Sequence, residues 1–264
     1  MYLSKNSLAK IILTASAFLI IGAVFFCIAY FIGKSEISPK PTIILGAVFT
    51  SLAFISFPTG IYADGISKPF AEGNRMVRRD LTPEKFLLYY KDITDKEKNA
   101  VVRHRYDMLE LLYLSCRLLD DKRGAYEAVR MMKTELGEKY RPRAAVYYAE
   151  LLYEKGDIQT ADGLLSEAEK KDPGSELSAM ADAVRMTARA RAVKDTETEE
   201  KYCTGLLSAA GIFKADNASA LIAHYRLYEI LKETGRERDA LEHLEYCAEN
   251  GGRTAVSKLA KKLS

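Results

Sequence analysis

Three histidines and four cysteines are the side chains of this 264-residue chain best suited to hold a metal or attack a substrate. His243 and Cys247 stand four residues apart, which puts both on one helix face as a pair of metal ligands. No second pair at zinc spacing accompanies them, and Cys247 equally suits a small apolar core position. His104 lies between Arg103 and Arg105 and reads as part of a solvated helix face; His224 stands where a helix would bury a large residue. Cys27, Cys116, Cys203 and Cys247 form no CxxC pair, so no disulfide framework is expected and a reducing compartment suits them. The sequence holds no HExxH, GxSxG, Walker loop or dinucleotide glycine fingerprint. Adjacent acids such as Asp120 and Asp121 fall at a helix end, where turn geometry and solvent explain them. These residue types predict no enzyme, no catalytic residue, no metal and no cofactor.

The elements that carry these side chains begin with two apolar stretches. Ile11 to Gly33 runs 23 positions without a charge, bracketed by Lys10 and Lys34; at about 1.5 Å per residue it crosses a hydrocarbon core of roughly 30 Å. Thr42 to Ala63 is again uncharged, closed by Asp64 and separated from the first run by Pro39 and Pro41. The first run exceeds the usual apolar length of a cleaved signal and no A-x-A site ends it; Val24, Phe25 and Phe26 before Cys27 exclude a lipoprotein site. The expectation is a membrane hairpin of residues 11–33 and 42–63 after a cytoplasmic tail of residues 1–10. Lys5 and Lys10 precede it, Lys34 and Lys40 lie in its loop, and Lys68, Arg75, Arg78 and Arg79 follow it. The positive-inside bias then places both termini in the cytoplasm, at the plasma membrane. Neither span carries an ionisable group, which reads as an anchor rather than a transport path. Gly22, and Gly46 with Thr50, allow close helix approach and read either as a dimer face or as the small residues common in membrane helices. Residues 64–80 read as a basic juxtamembrane linker whose Lys68, Arg75, Arg78 and Arg79 either touch anionic lipid or only set the topology.

From Leu81 to the end the sequence reads as an all-α domain. Thr82 can cap a helix that Pro83 and Glu84 open. Amphipathic stretches follow at about 83–93, 100–120, 124–137, 143–155, 158–171, 175–193, 197–213, 217–234, 237–249 and 253–263. The last gathers Val256, Leu259, Ala260 and Leu263 on one face, as an end cap or as a cationic membrane helix. Acids and bases are interspersed and the formal net charge is +3, so no nucleic-acid surface is expected.

Between Pro142 and Pro173, Ala145, Tyr148, Ala149 and Leu152 share one helix face, Ile158, Ala161, Leu165 and Ala168 another, and Gly156–Asp157 separates them. This pattern resembles the tetratricopeptide repeat, a helix hairpin of about 34 residues, with Ala145 where that family often has tryptophan. Leu227, Tyr228, Leu231, Gly235, Ala240, Leu244 and Cys247 repeat it. Leu112, Cys116, Leu119, Ala128 and Met132 repeat it more loosely, with Ala128 and Ala161 33 residues apart, and residues 175–213 read as a divergent hairpin. The resemblance implies an α-solenoid over roughly 105–250 whose first helices line a partner groove. Transferred to this chain, the groove positions are Tyr113, Arg117, Arg143, Val146, Glu150, Tyr153, Tyr225, Glu229 and Lys232. The carboxylate clamp known in that family needs lysine and asparagine where Val146, Glu150, Tyr225 and Glu229 stand, so chaperone C-termini are not expected ligands. The expected role is a membrane-tethered adaptor for a protein or peptide, with no small-molecule substrate. The alternative is a regulatory or assembly subunit that engages a larger membrane complex through its hairpin.

Overall fold

The computed structural model describes residues 5–32, 40–61, 68–96, 102–213 and 216–263. Among them every regular element is helical and no strand occurs. The chain divides into two compact units: Met1–Ala71 with Asp95–Val101, and Glu72–Thr94 with Val102–Ser264.

The first unit is built on α1 (Lys5–Ile32) and α2 (Lys40–Ile61), which pack along each other. Ile12–Ile32 is long and apolar enough to cross a bilayer; the apolar stretch Ile43–Ser56 of α2 is shorter. Small residues form their seam. Ala15, Ala29 and Ala53 are buried. A Cβ on Gly22 would lie 2.6 Å from Thr50 Oγ1 and 3.2 Å from the Gly46 carbonyl oxygen, and one on Gly46 would lie 3.3 Å from the Gly22 oxygen. Thr50 Oγ1 donates back to Gly46 O at 2.8 Å, so its hydroxyl is satisfied within its own helix. Phe49 stacks on Phe25 at 5.5 Å between ring centres. Gly22, Gly46 and Thr50 are thus used between α1 and α2. Outside the seam, Leu13, Phe31, Phe54 and Ile55 are exposed.

The segment read as a linker is helical from Lys68: α3 (Lys68–Asn74) passes into a π-helical turn, Arg75–Arg79. Glycine, proline and cations obscured a packing surface, for Val77 is fully buried and a Cβ on Gly73 would meet the Phe86 ring at 2.7 Å. In the second unit follow α4 (Pro83–Lys96), α5 (Val102–Leu118), α6 (Lys122–Glu135), a 3-10 turn at Glu138–Tyr140, α7 (Arg141–Glu154) and α8 (Ile158–Lys171). Next come α9 (Ser175–Val184), a second π-helical turn at Arg185–Arg189, α10 (Ala190–Ala192), α11 (Thr196–Phe213), α12 (Asn217–Glu233), α13 (Glu237–Asn250) and α14 (Ala255–Leu263). Thr82 does not cap α4 as expected: its hydroxyl donates to Met76 O at 3.2 Å.

One turn recurs four times. Asp120, Gly156, Lys194 and Gly235 all have positive φ, at 56°, 80°, 61° and 75°. The N–H of the next residue reaches back to close the preceding helix: Asp121 to Cys116 O at 2.8 Å, Asp157 to Leu152 O at 3.0 Å, Asp195 to Ala190 O and Arg236 to Leu231 O, both at 2.8 Å. Asp121, Asp157 and Asp195 then cap the following helix, accepting from Gly124, Thr160 and Thr198 N–H. Residues 175–213 therefore form a hairpin of the same construction. The turns also correct the register read from sequence. Five residues past each positive-φ position stand Ala125, Ala161, Glu199 and Ala240, all buried. The equivalent of Ala161 is thus Ala125, not Ala128. Both residues are buried on the apolar face of α6, which is why the pattern alone chose the wrong one.

In α14 the buried positions are Ser257 and Ala260, whereas Leu259 and Leu263 are exposed. Gly22→Val should wedge α1 from α2, with an overpacking cost of about 1–3 kcal/mol. Detergent titration of the purified protein, read by helix content, should show it unfold earlier, whereas Gly137→Val, where a Cβ meets nothing within 4 Å, should leave the midpoint unchanged.

Candidate functional site

The second unit carries a half-open cavity of about 870 Å³. Its wall is contributed by α5, α7, the second π-helical turn with α10, α11, α12 and α14, with Arg78 from the first π-helical turn. The apolar part consists of Leu114, Ala188, Leu206, Ile222, Val256 and Leu259.

The polar part is a ladder. Residues i, i+3 and i+7 share a helix face, so α5 presents Glu110, Tyr113 and Arg117 while α7 presents Tyr147, Glu150 and Glu154. The two rows pair rung by rung. Tyr147 faces Glu110, and each shifts the other's titration. The Tyr113 hydroxyl donates to Glu150 Oε2 at 2.7 Å. Arg117 Nη1 donates to Glu154 Oε2 at 2.8 Å. Across the cavity, Arg226 Nε and Nη2 donate to the two oxygens of Glu199 at 2.8 and 2.9 Å, and Arg191 Nη2 adds a bond at 3.2 Å. Arg226 also pairs with Glu229. Arg78 Nη1 donates to Asp216 Oδ2 at 2.6 Å, and its Nη2 to Glu110 Oε1 at 3.0 Å.

Burial moves the wall's titrations. It raises the carboxyl of Glu110 against the pull of Arg78 and raises the phenols of Tyr113 and Tyr147 far above the usual value. Burial opposes the charge on Arg117, but Glu150, Glu154 and Tyr113 outweigh it and the guanidinium is held charged. The Cys203 thiol, also in the wall, is pushed up to about 11, by burial first and Glu199 second, so it stays protonated at neutral pH. Among the described residues no three of His, Cys, Asp or Glu are grouped to hold a metal ion.

Of the groove positions expected from sequence, Tyr113, Arg117, Glu150, Tyr225 and Glu229 come together on this wall. Val146 and Tyr153 do not: both are buried in the core among α7, α8 and α9, and the Tyr153 hydroxyl donates to Asp162. Arg143 pairs with Glu176 and lies over the Tyr106 ring at 5.6 Å. Lys232 is exposed beside Tyr228, its Nζ 3.3 Å from the phenol oxygen. Of the expected lipid-facing cations, Lys68 and Arg79 are exposed and Arg75 pairs with Glu72 at 2.7 Å and Asp80 at 3.2 Å. Arg78 is spent on Glu110 and Asp216. Sequence reasoning missed Arg78, Glu110, Tyr147, Arg191, Glu199 and Arg226. The i, i+3, i+7 spacing of Glu110 with Tyr113 and Arg117 is the signal that could have found Glu110. No family model, no curated protein and no solved structure matches the chain.

His224 and His243 form a second titratable cluster, on α12 and α13. His224 Nδ1 and His243 Nδ1 share a hydrogen bond of 2.8 Å, and His224 stacks on Tyr246 at 3.7 Å between ring centres. One imidazole must be neutral for that bond to exist. Burial and the facing His243 lower His224 to about 4; burial lowers His243, with Glu242 and Asp239 pulling the other way.

Two outcomes follow from these clusters. Glu199→Ala leaves the Arg226 guanidinium facing the cavity wall without its main partner and should cost about 3 kcal/mol; adding Arg226→Met should recover most of it, measured as urea midpoints of both variants. For the histidines, the unfolded chain binds protons more readily than the folded one, so stability is full above about pH 6.5 and falls as pH drops toward 4. Thermal melts should show that fall, and His224→Phe with His243→Leu should flatten it over the same window.

Proposed function

We propose that this protein is a membrane-tethered adaptor whose helical hairpins stack as a tetratricopeptide-repeat-like solenoid and hold a protein or peptide in the cavity of the second unit. With α11 and α14 completing the wall, the observation that carries the reading is the convergence on it of the first helices of the hairpins: α5, α7, the second π-helical turn with α10, and α12. These are the helices that line the partner groove in the family the sequence resembles. The volume, about 870 Å³, is within the usual range for binding sites, and its aliphatic strip offers burial to an incoming chain.

The anchor in this reading is a transmembrane hairpin of α1 and α2 with both termini in the cytoplasm. The seam of Gly22, Gly46 and Thr50 supports a hairpin that packs on itself, and the exposed ring of Leu13, Phe31, Phe54 and Ile55 suits lipid. The same exposed ring also favours the second reading, a subunit that docks on a larger membrane complex through these helices.

Ile222 and Leu259 are 38% and 41% exposed and both line the cavity, so charging them should poison the wall without emptying the core. Proximity crosslinking in native membranes is expected to lose a recurrent cytoplasmic partner about tenfold or more in Ile222→Asp with Leu259→Asp, a change of about 1.4 kcal/mol or above, at unchanged helix content. Partners that persist in the variant, are multi-span membrane proteins, and vanish when the hairpin is exchanged for an unrelated anchor would replace the adaptor reading with the docking one.

A further inference from the structure

The chain between the first π-helical turn and the start of α4 touches the far end of the same unit. Arg78 spans from Glu110 on α5 to Asp216, the residue that caps α12 by accepting from Ser219 N–H. Asn217 Nδ2 donates to Arg79 O at 2.7 Å. Arg253 N–H donates to Leu81 O at 3.0 Å, and Lys258 Nζ to Glu84 Oε1 at 2.8 Å. Leu81, buried, has φ of 49°, a left-handed conformation that costs a branched side chain energy and persists only where its surroundings enforce it. What enforces it is close at hand: Gly252, at φ 57°, presses so near that a Cβ there would lie 2.7 Å from Leu81 O and 2.8 Å from Leu81 Cβ.

We propose that residues 75–84 are a strap that ties the last hairpin and α14 back to α5, and that release of this strap opens the cavity. Arg78 is both a tie of the strap and part of the cavity wall, and α12 and α14, the two helices it holds, supply Ile222, Val256 and Leu259 to that wall. Four of the contacts join residues 138 to 174 positions apart or close the backbone at Leu81, whereas the other ion pairs of the wall lie between neighbouring hairpins or within one. The strap closes a ring that the stacking of hairpins alone would leave open. Its polar ties are few and partly solvated, while Val77 and Leu81 pack it from the buried side, so removing one tie lowers the cost of a local opening without unfolding the unit. The strap itself does not depend on what the cavity binds; its consequence for ligand entry rests on the adaptor reading.

Cys203 reports on the strap without any ligand, because it lines the cavity and is buried, while Cys116 is buried between α5 and α6 away from the strap. The test is alkylation of the full-length protein in lipid nanodiscs by N-ethylmaleimide under native conditions, with each cysteine followed by mass spectrometry. Arg78→Ala removes the central tie, and Gly252→Ala drives a methyl into Leu81. Gly235→Ala is the control, since it carries the same positive-φ penalty with nothing within 4 Å of the new Cβ. The expected result is that both strap variants speed Cys203 about tenfold or more, in line with a lowered cost of local opening, and that Gly235→Ala and the Cys116 rate in every variant stay at the wild-type value. Acceleration of Cys203 and Cys116 together, acceleration in Arg78→Ala alone, or no acceleration in either strap variant would each overturn the strap. Failure of the crosslinking experiment above with success here would remove the adaptor and leave the strap in place.

Discussion

The second unit depends on one backbone requirement met four times: a single residue in the left-handed region, followed by a residue whose N–H turns back onto the helix just ended. That turn sets the angle between the two helices of each hairpin, so hairpins built on it present their first helices to the same side. Two of the four positions are glycine, which adopts the conformation without a Cβ penalty, and two are Asp120 and Lys194, which do not. At Asp120 and Lys194 the strain is held in place by the turn-closing bonds of Asp121 and Asp195 and by the aspartate caps that follow.

With the first helices turned inward, the wall of the cavity becomes a place where long polar side chains are half removed from water. Unpaired charges there are expensive, and the arrangement answers with ion pairs, most of them made between hairpins. Arg117 is held by Glu150 and Glu154, Arg226 by Glu199 and Glu229, and Arg78 by Glu110 and Asp216. Glu199 shows the coupling most clearly. It stands in the slot that alanine fills in the other three hairpins, 2% exposed, and a carboxylate tolerates that slot because Arg226 of the next hairpin grips both its oxygens. The pair links two hairpins by a bond that mere stacking of apolar faces would not specify.

This substitution also explains what the sequence made legible. The helices were readable because their apolar spacing is regular and their breaks are marked, and their expected limits lie within about three residues of those found. The hairpin of residues 175–213 was opaque for two reasons that concern single positions: Lys194 stands where a glycine would signal the turn, and Glu199 where an alanine would signal close helix packing. The π-helical turn at Arg185–Arg189 shifts the phase of its first helix as well. The groove residues were half legible. Neighbouring residues on a helix are about 100° apart, so a register error of one position moves a side chain from the cavity to the core, and this separates the expected Val146 from the observed Tyr147. At Tyr113 and Arg117 the phase was right, and their partners on α7 follow from the same spacing. The segment from Lys68 to Arg79 was misread because its composition is that of a linker, whereas its structure is decided by Gly73 and Val77 packing into the second unit.

A wall whose charges already neutralise one another has a consequence for recognition. An incoming carboxylate or ammonium gains little there, since each guanidinium and each carboxylate would first have to give up a partner at a cost comparable to the new bond. The free energy left for binding lies in the aliphatic strip of Leu114, Leu206, Ile222, Val256 and Leu259, where burial contributes roughly 25 cal/mol per Å². Three of those five residues, Ile222, Val256 and Leu259, are carried by α12 and α14. The strip is therefore complete only while those two helices are held against the rest of the unit, and the residues that hold them, Arg78 and Leu81, belong to the chain that leads out of the membrane-type helices. Apolar recognition and the tie at residues 75–84 are in this way two aspects of one geometry.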